Sequence, residues 1–139
     1  MDEQRIIETF ELLPDWDGRY EFINELGHKL GALPEADKTE DNRVQGCTTR
    51  TWVTGHLGAS DPPVMEYQAD AEGTLVRGIV MLLLVPFQGK TPEEVLATDP
   101  SDYFGKLGLE EHLSPNRRLG MHAFIAKLKA IAKACTEAA

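Results

Sequence analysis

A block of strand-like sequence set between helical ones limits the folds open to this chain. From Arg43 to Leu57 there are four threonines, two valines and Trp52, residue types that suit a pleated, half-buried surface. This predicts a short strand from Arg43, a turn at Gly46-Cys47 and a longer strand from Arg50. Asp61-Pro62-Pro63 breaks that strand. Val64 to Asp70 then alternates, with Met65, Tyr67 and Ala69 on one face and Glu66, Gln68 and Asp70 on the other. Such alternation predicts an antiparallel strand with one wet face.

Helical patterns lie on both sides of the block. Ile6, Phe10 and Leu13 recur at helical spacing until Pro14, and a second helix is predicted from about Arg19, with Tyr20, Ile23, Gly27 and Leu30 on one face. Asp15-Trp16-Asp17-Gly18 joins the two. Leu33 to Asn42 reads as loop, with Pro34, five charged residues and little to bury. Gly73 to Val85 is apolar nearly all round, and its length favours a buried helix starting near Glu72 or Thr74. Thr91-Pro92-Glu93-Glu94 carries the marks of a helix start with a capping box. Ser114-Pro115 opens a last helix to about Cys135, with Met121, Phe124, Leu128 and Ile131 along its stripe and Lys127, Lys129 and Lys133 suiting its C-terminal end. Strands grouped between helices argue for α+β: a small three-stranded antiparallel sheet covered by helices. The 139 residues suffice for a core without disulfides or metal and read as a single domain, 1–139.

Charge and composition exclude several partner classes. Fourteen Lys and Arg against 23 Asp and Glu leave a net charge of −9. Nucleic acid and anionic membrane surfaces are therefore not expected partners. The longest apolar run, Ile79 to Phe87, is far short of the roughly 20 residues a bilayer requires. The charged opening Met-Asp-Glu-Gln-Arg predicts a chain without a secretory leader. Two cysteines make no disulfide framework, which suits a reduced, cytoplasmic setting. No metal site is expected, because Cys47 and Cys135 are far apart and no histidine pair has ligand spacing. Phosphate-binding glycine loops are absent.

Cys47 is the leading chemical candidate. It stands at the predicted tip between two strands, after Gly46, which permits a tight turn and leaves space beside the sulfur. A thiol reacts as thiolate, and Arg43 and Arg50 flank the tip as cations able to favour that form. The plain alternative is a small core hydrophobe, which the loop-tip position argues against. A cysteine hydrolase would need a histidine base among His28, His56, His112 and His122. Cys135, on an apolar stripe, reads as structural. Arg117 lies in the first turn of the last helix, where a cation opposes the helix dipole; a carboxylate, an anion or a partner would offset it. Asp70 and Glu72 read by default as caps of the buried helix.

Four ordered blocks carry a resemblance. They are Glu25-Leu26-Gly27, Asn42-Arg43-Val44-Gln45-Gly46-Cys47 continuing to Trp52, Val76-Arg77-Gly78, and His112-Leu113-Ser114-Pro115-Asn116-Arg117 with Gly120. Together, from about Ile6 to Ala132, the chain resembles the SufE family of cysteine-desulfurase partners in Fe–S cluster assembly. The resemblance implies a SufE/IscU-like α+β fold and a persulfide acceptor at the position of Cys47. It implies sulfur taken from a group II, SufS-like cysteine desulfurase, stimulation of that enzyme, and delivery to an Fe–S scaffold protein. Such a protein is a sulfurtransferase-like carrier without independent turnover, and no cofactor is implied. The family's cysteine loop lies tucked against an apolar cavity and swings out for transfer, which suits a persulfide's need for shelter. Arg43, Gly46, Thr49, Arg117, Asp70 and Glu72 match loop or partner-binding positions. Thr49 stands where Ser is commoner, and Glu72 where Asp is. The resemblance fits the SufE and the CsdE-type branches alike. A different class of function, a binding module that regulates a desulfurase or scaffold without carrying sulfur, is the alternative.

Overall fold

The structure, a computed structural model, describes residues 2–138, Ala138 by its backbone alone. Helix α1 spans Glu3–Leu12, its first turn capped by Asp2, which accepts from the Arg5 amide. Helix α2 spans Trp16–Lys29 and starts earlier than the periodicity suggests. Asp15 is the reason: its carboxylate accepts from the Gly18 amide at 2.9 Å, the usual device for satisfying a helix's first free N–H groups. The α1–α2 joint is therefore Leu13–Asp15, and Trp16 is already helical.

Strands β1 (Thr51–Leu57) and β2 (Met65–Ala71) form a two-stranded antiparallel sheet in which Thr51 faces Ala71 and Leu57 faces Met65. The third strand expected from Arg43 is cut to a single bridge, Arg43 opposite Trp52. The segment makes two ladder bonds, Val44 N–H to the Thr51 carbonyl at 2.8 Å and Val53 N–H to the Asn42 carbonyl at 2.9 Å. A turn bonding Arg43 N–H to Glu40 precedes it. Gly46, at φ +95°, turns the chain away just after it. Too few residues lie between these turns for a longer ladder. The outer edge of β2 is covered over its first half. Met65 exchanges bonds with Gly89 and Lys90, and the Gln88 amide bonds both Tyr67 backbone groups, at 2.7 and 2.9 Å. Covering an edge in this way removes a template for unwanted strand pairing.

The apolar run after β2 is helix α3, Thr74–Leu84, entered through Gly73 at φ +106° with no side-chain cap. Neither Asp70 nor Glu72 caps it. Helix α3 crosses α2 at two glycines: a Cβ on Gly27 would fall 2.0 Å from the Thr74 carbonyl oxygen, and one on Gly78 would fall 1.8 Å from that of Ile23. Helix α4, Pro92–Ala97, has its capping box, with reciprocal Thr91 and Glu94 bonds at 3.2 and 2.9 Å. Helices α5 (Ser101–Leu107) and α6 (Leu109–His112) follow, separated by Gly108 in the left-handed region. Helix α7, Pro115–Ala138, is the longest and packs on β1 and α4. Buried side chains from α1 through α7 and both strands join one connected core that includes Phe10, Ile23, Val53, Leu83, Val95, Leu107, Leu109 and Phe124. Among the described residues no helix is long and apolar enough to cross a membrane.

Candidate functional site around Cys47

Three segments meet at Cys47. The turn after Val44 carries it, α3 lies beneath, and the first turns of α7 pass beside it. Cys47 is half-buried and free. Its thiol donates to the Gly120 carbonyl, Sγ to O 3.6 Å. Beside it opens a narrow cavity of about 40 Å³, whose walls include Val76, Ile79, Val80 and Leu83 of α3 and Met121 and Phe124 of α7. Thr48, Thr49, Thr51, Asn116, Arg117 and Gly120 complete the lining. A water-sized occupant needs roughly 10–15 Å³ by the same measure, so the cavity has room for an added atom next to Sγ.

Burial pushes the Cys47 thiol above its ordinary pKa; the Thr51 hydroxyl and the Arg43 guanidinium pull the other way but are outweighed. Burial thus favours the protonated thiol over the thiolate, which is the nucleophilic form. Thr51 is itself buried, its hydroxyl donating to the Thr49 carbonyl at 3.1 Å.

The other candidate residues divide. Thr49 and Arg117 line the cavity with Cys47, and Gly46 supplies the turn before it. Arg117 is exposed, while its amide donates to the Ser114 hydroxyl at 3.3 Å. Arg43 faces the thiol electrostatically and pairs with Glu40 at 3.8 Å. Glu72 does not line the cavity; it pairs with Arg50 at 3.2 Å where the sheet ends.

Asp70 departs furthest from expectation. Instead of standing on a wet face for a partner, it is 2 % exposed. Its carboxylate pairs with Arg77, accepts from the Leu33 and Ala71 amides, and meets Lys38 Nζ at 3.5 Å. The Leu33–Lys38 segment covers this end of the sheet, with Lys38 also lying 5.4 Å over the Trp52 ring. Arg77 further bonds the carbonyls of Gly27 and Leu30 at the end of α2. Asp70 thus ties loop, sheet and helices together and is not presented to solvent.

The histidines lie elsewhere. His112 stacks on Trp16 at 3.8 Å between ring centres, His56 pairs with Glu66 at 3.0 Å, and His122 with Glu110 at 3.4 Å. Among the described residues, none of the four histidines lines the cavity beside Cys47. Among the described residues no group of three His, Cys, Asp or Glu side chains is placed to hold a metal ion. Gly120 is the site residue whose role spacing alone does not reveal. A glycine inside a helical pattern, at a cost of about 1 kcal/mol relative to alanine, is the one local sign of it.

The family model SufE, described as the Fe-S metabolism associated domain, matches residues 4–132. An uncharacterized SufE-like protein of Rhizobium meliloti is 37% identical over 130 residues, which cover 93% of each chain. One from Rhizobium etli is 35% identical over 130 residues, covering 93% of this chain and 88% of that one. The solution structure of a hypothetical protein from Thermus thermophilus superposes with a TM-score of 0.75 at 26% identity, over 97% of this chain and 96% of that one.

Proposed function

This chain belongs to the SufE family, with a role in Fe–S metabolism, and from that premise we propose that Cys47 accepts and carries persulfide sulfur. The donor in this reading is a group II cysteine desulfurase holding sulfur on its own cysteine. The Cys47 thiolate attacks the outer sulfur of that persulfide. A new S–S bond forms at Sγ, the donor S–S bond breaks, and the desulfurase cysteine leaves as thiolate. The exchange needs no oxidant or reductant, and its rate follows thiolate fraction, leaving group and access. A second exchange of the same kind passes the sulfur to an Fe–S scaffold protein. Draining the donor's persulfide frees that enzyme for its next turnover.

One observation carries the reading: Sγ sits half-buried at a cavity with room for one more atom, and among the described residues no histidine or carboxylate lines that cavity. That arrangement suits a carrier, whose partner supplies the activating environment, better than a self-sufficient enzyme. Opening of the loop would relieve the burial that disfavours the thiolate. Arg43 and Arg117, near Sγ and at the cavity, are cations suited to the anionic sulfur.

The test is intact mass after incubation with a group II desulfurase and free cysteine, without reductant. The protein is expected to gain sulfur on Cys47, reversibly on adding a thiol reductant. Cys47→Ser is expected to gain none while keeping its fold, and Cys135→Ser to gain as much as the parent. Stimulation of the desulfurase by Cys47→Ser equal to that by the parent would instead favour a binding module.

A further inference from the structure

We propose that the Gly120 carbonyl is a latch for the Cys47 loop that engages only while Cys47 carries no extra sulfur, which makes Gly120 a positioning residue for sulfur acceptance. This rests on Cys47 being the acceptor.

Two observations define the latch. The thiol donates to the Gly120 oxygen at 3.6 Å, and a backbone carbonyl has a second lone pair to receive it while its helix bond persists. The approach also depends on the missing side chain. A Cβ on Gly120 would sit 3.0 Å from Sγ and 3.7 Å from both Cα and Cβ of Cys47. Gly120 is buried within α7 and has no left-handed φ, so closeness to Cys47, not backbone freedom, accounts for a glycine there.

The chemistry makes the latch selective. Only a thiol has a hydrogen on Sγ. In the persulfide, Sγ is bonded to Cβ and to the outer sulfur and can donate nothing. Acceptance therefore removes the hydrogen that held the loop, and turns sulfur lone pairs toward the carbonyl oxygen. The cavity still admits the added sulfur, but the closed loop loses one of its bonds, so the equilibrium moves toward the open form in which sulfur is handed on. The empty carrier rests closed and the loaded one is freer, with no second ligand needed.

Hydrogen exchange of the loop amides, followed by mass spectrometry over residues 45–49 in a Cys135→Ser background, tests this. Cys47 capped as its methyl disulfide stands in for the loaded sulfur. The capped loop is expected to exchange about two- to fivefold faster than the free thiol, the size of one weak hydrogen bond. In Gly120→Ala the uncapped loop is expected to exchange fast already, with little added by capping. Two further variants leave α7 untouched and separate the bond from crowding by the methyl group. Cys47→Ser keeps a donor and is expected to remain slow; Cys47→Ala has none and is expected to be fast. Equal exchange in the Ser and Ala variants overturns the latch, whatever the capped form does. No desulfurase is used, so failure of the latch and failure of sulfur acceptance are read separately.

Discussion

At Cys47, the burial that shelters the sulfur also disfavours its thiolate. Its pKa in the folded protein is raised by desolvation, so the seated thiol contributes stability that is full below the unfolded-state pKa and is lost as pH rises through the folded value. Alkylation by iodoacetamide in a Cys135→Ser background should show this. The midpoint of the rate against pH is expected to be higher in the folded protein than in urea, with slower reaction at any pH below it. A folded midpoint at or below the unfolded one would mean that the thiol is open and activated at rest. Cys47 was legible because Gly46-Cys47 falls between strand-like runs, and because the blocks around it resemble a known family. The Gly120 contact was not: it joins residues 73 positions apart, and no local pattern encodes it. Asp70 misled for a related reason. Alternation placed it on the wet face with Glu66 and Gln68, but the Leu33–Lys38 segment and Arg77 of α3 close over that end and bury it.

Among elements, the α2–α3 crossing is where substitution should cost most. The atoms that a Cβ on Gly78 would meet at 1.8 Å belong to the α2 backbone, so the helices themselves must part. Gly78→Ala is expected to lose about 1–3 kcal/mol or more, read as a lower urea midpoint with an unchanged slope. Arg77 braces the same crossing. It pairs with Asp70 and bonds the Gly27 and Leu30 carbonyls. Arg77→Met would leave a buried carboxylate short of its chief partner, at an expected cost of about 3–5 kcal/mol. Adding Asp70→Asn should give a double variant that loses less than the sum of the two single changes, since the residues act as one unit. Additive losses would show that the pair is not coupled. Helix spacing and caps were readable here: Ile6 and Phe10, the Thr91–Glu94 box and the stripe of α7 all behave as their periodicity implies. The third strand was not. Its β-branched composition was real, but the turns at Glu40 and Gly46 leave it a single bridge, and strand length depends on turns as much as on propensity.

Across the whole molecule, the two tryptophans offer a test of whether 139 residues fold as one unit. Trp16 sits where α2 begins, edge-on to Phe10 at 6.1 Å and stacked on His112 at 3.8 Å. Trp52 lies buried on β1 beneath the Lys38 ammonium. One reports the contact between α2 and the segment entering α7, the other the sheet and the loop that covers it. The core that joins them is continuous, and Lys127 on α7 also reaches the Asp41 carbonyl at 2.9 Å, tying that loop to the longest helix. With connections of this kind, neither region can lose its packing without exposing the other. Trp16→Phe and Trp52→Phe each leave a single tryptophan. In urea, the fluorescence transition of each variant is expected to coincide with its own far-UV circular dichroism, as in an all-or-none transition. A Trp52 signal that moved before the helical signal would instead mean that the sheet and the Cys47 loop open as a unit of lower stability. The mobility needed to present Cys47 would then belong to the whole strand region rather than to the loop alone.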